Sequence, residues 1–470
     1  MKGKKTALCL SLGLFLCVSG CTLAPEYTRP AAPVPAAWPV GAAYEGAKDA
    51  ADAPAAVELK WQEFFTDEQL RQFIEIALTN NRDLRLAVLA VDRARALYGI
   101  QRAELLPRIN AVLSADQRRT PADISSPGNA MTVQQYSVNL GISSWEMDFF
   151  GRIRSLKEQA LQEYLATDQA RRSAQIVLVS AVANTYLALA ADRENLTLVT
   201  STLATQETSY GLIRKRYEVG LASELDLKRA QSQVDTARGD IARYTQLAAQ
   251  NENALNLLIG SPMPLTLRLT DMGSISPPKE VSAGLSSEVL LQRPDVIAAE
   301  HALKAASANI GAARAAFFPR ISLTTTIGTA SADLSGLFKA GQGTWSFVPQ
   351  IAVPIFDART RSAYDVTKVE REISVTQYEK AIQTAFREVA DALAVRGTVD
   401  QQIEEQQSLV NAAAETYRLS NLRYEKGIDS YLSVLDAQRS LYAAQQGLIA
   451  LRLFQLTNFV TLYKALGGGA

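Results

Sequence analysis

The chain contains 470 residues, with 48 basic and 48 acidic side chains, so its formal net charge is zero. This balance excludes a typical nucleic-acid-binding protein, which carries a marked excess of basic residues. The single histidine is His301, and the three cysteines all fall within the first 21 positions, which excludes structural zinc, thiol catalysis and a disulfide scaffold. Residue counts alone leave open a metal site built from carboxylates.

The N-terminus has the pattern of a secretory signal. Three lysines precede an apolar run from Ala7 to Val18, and small residues then lead to Cys21. The ending Val18-Ser19-Gly20-Cys21 resembles a bacterial lipobox, in which Cys21 becomes the first mature residue and carries lipid; the alternative is an ordinary signal peptide that is cut nearby. We predict a lipoprotein signal peptide at 1–20 and a lipidated tether, rich in proline and alanine, at 21–57. Thr22 after the cysteine indicates sorting to the outer membrane.

The rest of the chain repeats one pattern twice. Arg102-Ala103 returns 212 positions later as Arg314-Ala315, and Arg216-Tyr217-Glu218-x-Gly220 returns 207 positions later as Arg423-Tyr424-Glu425-x-Gly427. The two offsets differ by five, and this difference falls in the loops between positions 109 and 149. The pattern predicts an internal duplication, with a first repeat at 58–260 and a second at 261–470.

Each copy is predicted to run helix, strand, strand, long helix, tight turn, helix. In the first copy these elements are a helix at 67–106, strands at 108–116 and 133–143, a helix at 152–217 and a turn at 219–222. In the second copy the strands lie at 321–327 and 345–355, the long helix at 359–424 and the turn at 426–429. A helix of this length would extend about 100 Å. The helices after the turns carry apolar heptads, which predict coiled-coil packing of two long α-hairpins.

The strands alternate between an apolar and a polar face. Tyr136, Val138, Leu140 and Ile142 share one face in the first copy, and Phe347, Ile351, Val353 and Ile355 share one in the second. Such strands face two different solvents. Four strands cannot close a barrel in a membrane, whereas two chains would give a filled eight-stranded barrel and three an open twelve-stranded one. Aromatic residues cluster where strands meet helices, as in an interfacial girdle, although packing within a soluble protein would also explain them.

The apolar stretch 176–190 is long enough to suggest a transmembrane helix. Its counterpart one repeat later, at 383–397, contains Arg387, Glu388 and Asp391. Since a duplicated helix with three charges at this depth is disfavoured in lipid, we interpret the stretch as packing surface.

Four stretches carry a resemblance to a known family: WEMDFFGR at 145–152, NIGAARAAFFP at 309–319, LDAQRSL at 435–441 and LYKALGG at 462–468. They resemble the TolC-like outer-membrane factors, in particular the OprM type of efflux lipoprotein, over essentially the whole mature chain. The resemblance implies long coiled-coil hairpins plus β structure. It implies a homotrimer with a twelve-stranded transmembrane β-barrel, four strands per protomer, that continues into a periplasmic α-barrel tunnel. Equatorial pieces would lie at 67–79, at 263–288 and at the end of the chain.

The resemblance also implies a function and partners. The chain would be the outer-membrane exit duct of a tripartite efflux pump, with a periplasmic adaptor (membrane fusion) protein and an inner-membrane RND transporter as partners and no cofactor besides the lipid on Cys21. A type I secretion duct or a metal-ion efflux duct of the same family is the alternative. No Met- or His-rich segment of the sequence suggests metal export.

A closed duct needs a gate, and the resemblance places it at the turn of the second hairpin. Leu432 would form an apolar ring and Asp436 an acidic ring, while Tyr424 and Arg439 would bond to neighbouring helices and hold the tip shut. Leu432, Asp436 and Arg439 follow the spacing of one helix face. The first copy has Leu225, Arg229 and Ser232 in their places, so that the two hairpins are not equivalent. The alternative for Asp436 is a solvated charge paired with Arg439 or Lys228, and Asp226 is a weaker candidate partner for Arg439.

Three other classes of protein fit less of the sequence. A periplasmic enzyme is disfavoured because no histidine-based nucleophile set is present, and His301 lies in an ordinary helical pattern. A coiled-coil lipoprotein scaffold would not explain the four amphipathic strands. A general diffusion porin would not explain helices of about 100 Å. We therefore predict a duct without catalytic activity.

Overall fold

A computed structural model describes residues 22–45, 53–126, 128–264, 272–284 and 286–469. The predicted signal peptide and the predicted lipid-bearing Cys21 lie outside these ranges, as do positions 265–271 and 285 of the predicted equatorial piece at 263–288.

Helices account for most of the described chain, and a four-stranded sheet accounts for the rest of its regular structure. The helices are α1 (Trp61–Phe64), α2 (Glu68–Asn80), α3 (Arg82–Ala103), α4 (Arg152–Glu218), α5 (Glu224–Ile259), α6 (Pro294–Ala315), α7 (Ala358–Glu425) and α8 (Tyr431–Ala465). The strands are β1 (Ile109–Thr120), β2 (Met131–Met147), β3 (Arg320–Ser331) and β4 (Gly343–Ala352).

The internal duplication is visible in the lengths of the elements. Helices α3 and α6 have 22 residues each, and strands β1 and β3 have 12 each. The long helices α4 and α7 have 67 and 68 residues, and their partners α5 and α8 have 36 and 35. Each repeat therefore forms two strands and one long helical hairpin, as the sequence predicted.

The predicted helix at 67–106 is wrong in one respect, because it is two helices. Helix α2 ends at Asn80, and Asn81 has an extended backbone, with φ −60° and ψ 131°. The Asn81 side chain accepts a hydrogen bond from the Leu84 N–H at 2.8 Å, as an N-cap does, and donates to the Leu258 carbonyl at 2.9 Å. The break therefore satisfies backbone groups at the ends of two helices, α3 and α5.

In the second repeat a different side chain makes the corresponding hydrogen bond to the carbonyl at a helix end. Arg293 occupies the position of Asn81, and its guanidinium donates to the Ala465 carbonyl, which is the counterpart of Leu258, at 2.6 Å. The same buried guanidinium pairs with Asp295 at 2.7 Å and with Glu388 at 2.9 Å. A buried charge with these partners fixes the start of α6 against the end of α8.

The sheet is antiparallel in the order β1-β2-β3-β4, so β1 and β4 are its edges. A bulge interrupts the pairing of β2 with β3 between Ile142 and Trp145, and Ser144 within it has a φ of 51°. The strands are longer than the sequence predicted, except that β4 ends at Ala352. The prediction that Val353 and Ile355 belong to this strand is wrong, because the partner strand β3 begins at Arg320, which pairs with Ala352, so that no residue of β3 lies opposite them.

One face of the sheet is apolar and solvent-exposed within the chain. Its large exposed side chains include Ile109, Leu113, Leu140, Ile327, Trp345, Phe347 and Ile351. The other face carries hydroxyl pairs between strands, Ser114 with Ser137 and Thr326 with Ser346, both at 2.7 Å. The structure thus separates the two solvent-facing sides that the alternating sequence predicted.

The chain divides into two compact units. The first consists of the described residues of Met1–Ala31, Ala90–Thr167 and Ala298–Tyr378 and includes the sheet, and the second consists of the described residues of Ala32–Leu89, Asp168–Ile297 and Glu379–Ala470 and includes both hairpin tips.

In the second unit the core brings short segments against the long helices. Phe64 stacks on Tyr463 with the ring centroids 3.9 Å apart, and the Tyr463 hydroxyl donates to the Leu59 carbonyl at 2.6 Å. Phe73 packs against Tyr186 of α4.

Helix α4 is long and apolar enough to cross a membrane, judged by length and composition alone. Most of its apolar stretch is buried within the chain, in agreement with the interpretation of this stretch as packing surface.

In the first unit the N-terminal segment is bound to α6 through a buried carboxylate. Glu300 is 4% exposed and receives hydrogen bonds from Arg29, at 2.8 and 3.2 Å, and from the Tyr27 hydroxyl at 3.0 Å. Lys304 lies 2.9 Å from the same carboxylate. Burial alone would raise the pKa of Glu300, but the hydrogen bonds from Lys304 and Arg29 outweigh burial and hold the pKa below its usual value.

Candidate functional site at the hairpin tips

The two hairpins turn in the same way at their tips. In the first, the Gly220 N–H donates to the Tyr217 carbonyl at 2.9 Å and the Leu221 N–H to the Arg216 carbonyl at 2.7 Å. Gly427 and Ile428 repeat this pattern in the second hairpin, at 3.0 and 2.9 Å. Both glycines have positive φ, 80° and 73°, as the Schellman ending of a helix requires. The repeated glycine therefore sets the position of each turn.

The turn of the second hairpin carries an ion pair that the first lacks. Arg423 donates to the Asp429 carboxylate at 2.6 and 3.1 Å, whereas Ala222 occupies the position of Asp429 in the first hairpin. Hydrogen bonds from Arg423 lower the pKa of Asp429. Because the pair lies at the surface it adds little stability, but it occupies Arg423. This pair was not predicted from the sequence, although an arginine and an aspartate on either side of a glycine turn are a recognisable signal.

An apolar cluster joins the two hairpins just behind their tips. Its buried members are Ile213 of α4, Ala230 of α5, and Tyr431, Val434 and Leu435 of α8. Tyr431 is 6% exposed, and burial raises the pKa of its hydroxyl to about 12. The start of α8 is therefore held against the first hairpin of the same chain.

The three residues predicted to share a face of α8 lie on its exposed side. Leu432 is 39% exposed, and Asp436 and Arg439 are exposed as well. The buried side of the same turns holds Tyr431 and Leu435. The hairpin therefore presents one apolar, one acidic and one basic side chain in a row away from its packed face.

Neither charged residue of this row is neutralised inside the described chain. Among the described residues, Asp436 makes no ion pair with Arg439 or Lys228; Lys228 instead bonds Gln231 at 3.4 Å, and Asp226 accepts from Ser223 at 2.7 Å. The paired-charge alternative for Asp436 is therefore absent within one protomer.

Arg439 lines a polar cavity of about 350 Å³ between α4, α5 and α8. Gln206, Gln233, Asp240 and Tyr442 also line it, and the Tyr442 hydroxyl donates to Asp240 at 3.1 Å. The buried Oε1 of Gln206 has no hydrogen-bond partner in the described chain. The cavity therefore has room for water beside the Arg439 guanidinium.

Tyr424 lies on α7, beside the exposed row that Leu432, Asp436 and Arg439 form on α8. Its ring contacts Arg216 and Tyr431, and no hydrogen bond of its hydroxyl is present within the described part of the chain.

Across the described ranges, no group of three or more His, Cys, Asp or Glu residues is arranged to hold a metal ion.

Comparison with known proteins matches both repeats to one family. The family model described as "Outer membrane efflux protein" matches residues 73–261 and 285–468. The antibiotic efflux pump outer membrane protein ArpC of Pseudomonas putida is 50% identical over 466 residues, covering 99% of this chain and 96% of that protein. The cation efflux system protein CusC of Escherichia coli is 42% identical over 471 residues, covering 99% of both chains.

Solved structures agree in fold over nearly the whole length. A membrane protein from Pseudomonas aeruginosa superposes with a TM-score of 0.88 at 40% identity, covering 96% of this chain and 98% of that one. The similarity includes the hairpins and the sheet together, because so little of either chain is left unmatched.

Proposed function

The chain belongs to the outer membrane efflux protein family and is an outer membrane efflux channel, and from this premise we propose that it is the exit duct of a tripartite pump. It receives small molecules from a periplasmic adaptor and an inner-membrane RND transporter and conducts them passively to the exterior. The observation that carries this proposal is the 50% identity, over 99% of the chain, to the outer membrane protein of an antibiotic efflux pump.

The duct is a homotrimer in this proposal, because one chain leaves too much apolar surface and two open sheet edges. None of the 22 residues of α3 is buried within the described chain, and Leu86, Leu89 and Leu97 are exposed on it. The edge strands β1 and β4 have unpaired sides that lipid cannot satisfy. Three copies would pair β4 of one protomer with β1 of the next, which closes a twelve-stranded barrel and gives the helices a shared tunnel.

The gate of the duct is formed by the exposed row at the start of α8. Three copies of Leu432 near the axis make an apolar constriction that excludes water, and three copies of Asp436 one turn further make an acidic ring. Since Asp436 has no cationic partner within the described chain, its charge is available to attract cations and to repel its own copies. Tyr424 and Arg439 hold the closed tip against that repulsion.

The N-terminus anchors the duct. Cys21 carries the lipid after removal of residues 1–20, and the tether at 21–57 leads to the first repeat at 58–260 and the second at 261–470. The hydrogen bonds of Arg29 and Tyr27 to Glu300 support a tether that lies against the body of the protein, since they fix the segment that follows Cys21 to α6 of the second repeat.

Drugs and other small organic molecules are the proposed substrates. The antibiotic efflux relative is more similar, at 50% identity, than the cation efflux relative, at 42%. A metal-ion efflux duct or a type I secretion duct of the same family is the alternative.

Accumulation assays test the proposed function. Cells that lack this chain but keep the cognate pump should accumulate antibiotics that the pump exports, and the intact chain should restore export. Unchanged antibiotic accumulation, with loss of metal resistance or of a secreted protein instead, would contradict the drug-efflux proposal.

A further inference from the structure

Three side chains at the tips form a stack that crosses from one hairpin to the other. The Arg216 guanidinium, on α4, lies 4.9 Å from the centroid of the Tyr424 ring, on α7. The Tyr431 ring, on α8, lies 5.3 Å from the Tyr424 ring at an interplanar angle of 53°. A guanidinium within about 6 Å of an aromatic ring is attracted to the face of that ring. The Tyr424 ring is thus held between the first hairpin and the second.

Arg216 is available for this contact because it lacks the partner that its repeat counterpart has. Arg423 is paired with Asp429, but the first hairpin has Ala222 at that position. The nearby Glu218 is taken by Arg214 at 3.0 Å. No carboxylate pairs with Arg216 among the described residues, and its side chain is half-buried. Because the first hairpin has Ala222 where the second has Asp429, Arg216 is free to contact Tyr424 of the other hairpin.

The stack rests on a rigid base. Tyr431 is buried in the apolar cluster with Ile213 of α4 and Leu435 of α8, so its ring cannot swing away without opening that cluster. Leu432 follows Tyr431 directly, about 100° further round α8, and is exposed there. Contacts that fix Tyr431 therefore also fix the direction of Leu432.

We propose that Arg216 is a gate-positioning residue that fastens the second hairpin to the first within one protomer, through the face of the Tyr424 ring. This inference rests on the proposed gate and changes how Tyr424 acts. The ring of Tyr424 carries the attachment, rather than a hydrogen bond from its hydroxyl to a neighbouring helix. Opening the tip then requires the Arg216 contact to break in each protomer.

Four substitutions separate the ring from the hydroxyl and the charge from the side-chain stem. Tyr424→Phe keeps the ring and Arg216→Lys keeps the cation, so both should leave the closed channel closed. Tyr424→Leu and Arg216→Met remove the ring or the charge and should raise the open fraction in planar bilayers about two- to fivefold per protomer. Arg214→Met is the matched control, since Arg214 is an exposed arginine that pairs with Glu218 on its own helix.

The double substitution and heat stability complete the test. If Arg216 and Tyr424 act through each other, Arg216→Met combined with Tyr424→Leu should open the channel no more than either alone. The temperature at which the assembled protein dissociates should stay the same, because the contact lies at the tip. Equal opening by Tyr424→Phe and Tyr424→Leu would overturn the inference and assign the role to the hydroxyl.

The inference and the gate can fail separately. Leu432→Ala, measured in the same bilayers, reports on the gate alone. If Leu432→Ala opens the channel and Arg216→Met does not, the attachment through Arg216 is wrong and the gate stands. If neither changes the currents, the constriction lies elsewhere and both proposals are contradicted.

Discussion

The two glycines that end the repeats should respond differently to the same substitution. Gly260 and Gly467 both have positive φ, 69° and 82°. A Cβ on Gly260 would lie 2.5 Å from the Asn80 carbonyl oxygen, whereas on Gly467 the nearest atom would be the Arg293 Cγ at 3.5 Å. Alanine at either position is strained by the left-handed backbone, but at Gly260 it also collides with main chain.

The two distances set the size of the difference in stability between the variants. The left-handed conformation costs an alanine about 1–2 kcal/mol at either position. The collision at Gly260 adds about 1–3 kcal/mol, because the Asn80 backbone has to move. Gly260→Ala should therefore destabilise its surroundings by about 2 kcal/mol more than Gly467→Ala, which corresponds to a roughly 30-fold difference in local opening.

Amide hydrogen exchange measures that local opening directly. The Gly260 N–H is bonded to the carbonyls of Asn256 and Leu257, and the Gly467 N–H to that of Lys464. Peptides that cover the end of α5 should exchange much faster in Gly260→Ala, and peptides that cover the end of α8 should change less in Gly467→Ala. Equal acceleration in the two variants would refute the reasoning from the clash.

Three further predictions concern the membrane, the N-terminal segment and the lipid. Leu140→Lys should cost about 2–4 kcal/mol on the apolar face of the sheet while Asn139→Lys is mild, as judged by the yield of folded protein in the outer membrane; equal yields would contradict a lipid-facing strand. Because the pKa of Glu300 is lowered in the folded protein, its stabilising contribution is full above the unfolded value of about 4.3 and is lost as the pH falls through the folded value. The opening of the segment around Arg29, measured as hydrogen exchange relative to the intrinsic rate at each pH, should therefore rise only in acid, and a rise in opening between pH 6 and 8 that Glu300→Gln removes would show that the sign is wrong. Cys21→Ser should abolish acyl labelling, and labelled palmitate on that variant would disprove the anchor.

The repeats made the architecture predictable. A constant offset predicted two long helices of equal length, and the shared glycine predicted both turns, because these features depend on local sequence. The alternating strands predicted the two faces of the sheet for the same reason. The break at Asn81 was missed because a capping side chain that also binds Leu258 depends on a helix far away in sequence.

The contacts between hairpins were less predictable. The spacing of Leu432, Asp436 and Arg439 was enough to predict a shared face. The burial of Tyr431 and the contact of Arg216 with Tyr424 were not predictable, because both depend on how the two hairpins pack. The sequence shows that Arg216 lacks the partner of Arg423, since Ala222 stands in the place of Asp429, but it does not show that Arg216 contacts Tyr424 instead.

Conductance in planar bilayers tests the gate most directly. The wild type should show a small current, and Leu432→Ala should raise it by widening the constriction, as should Arg439→Ala by freeing the tip. Leu225→Ala is the matched control, because Leu225 occupies the same repeat position in the first hairpin and is 58% exposed. An increase in Leu432→Ala without one in Leu225→Ala is the predicted result. Unchanged currents in both Leu432→Ala and Arg439→Ala would contradict a gate at the start of α8.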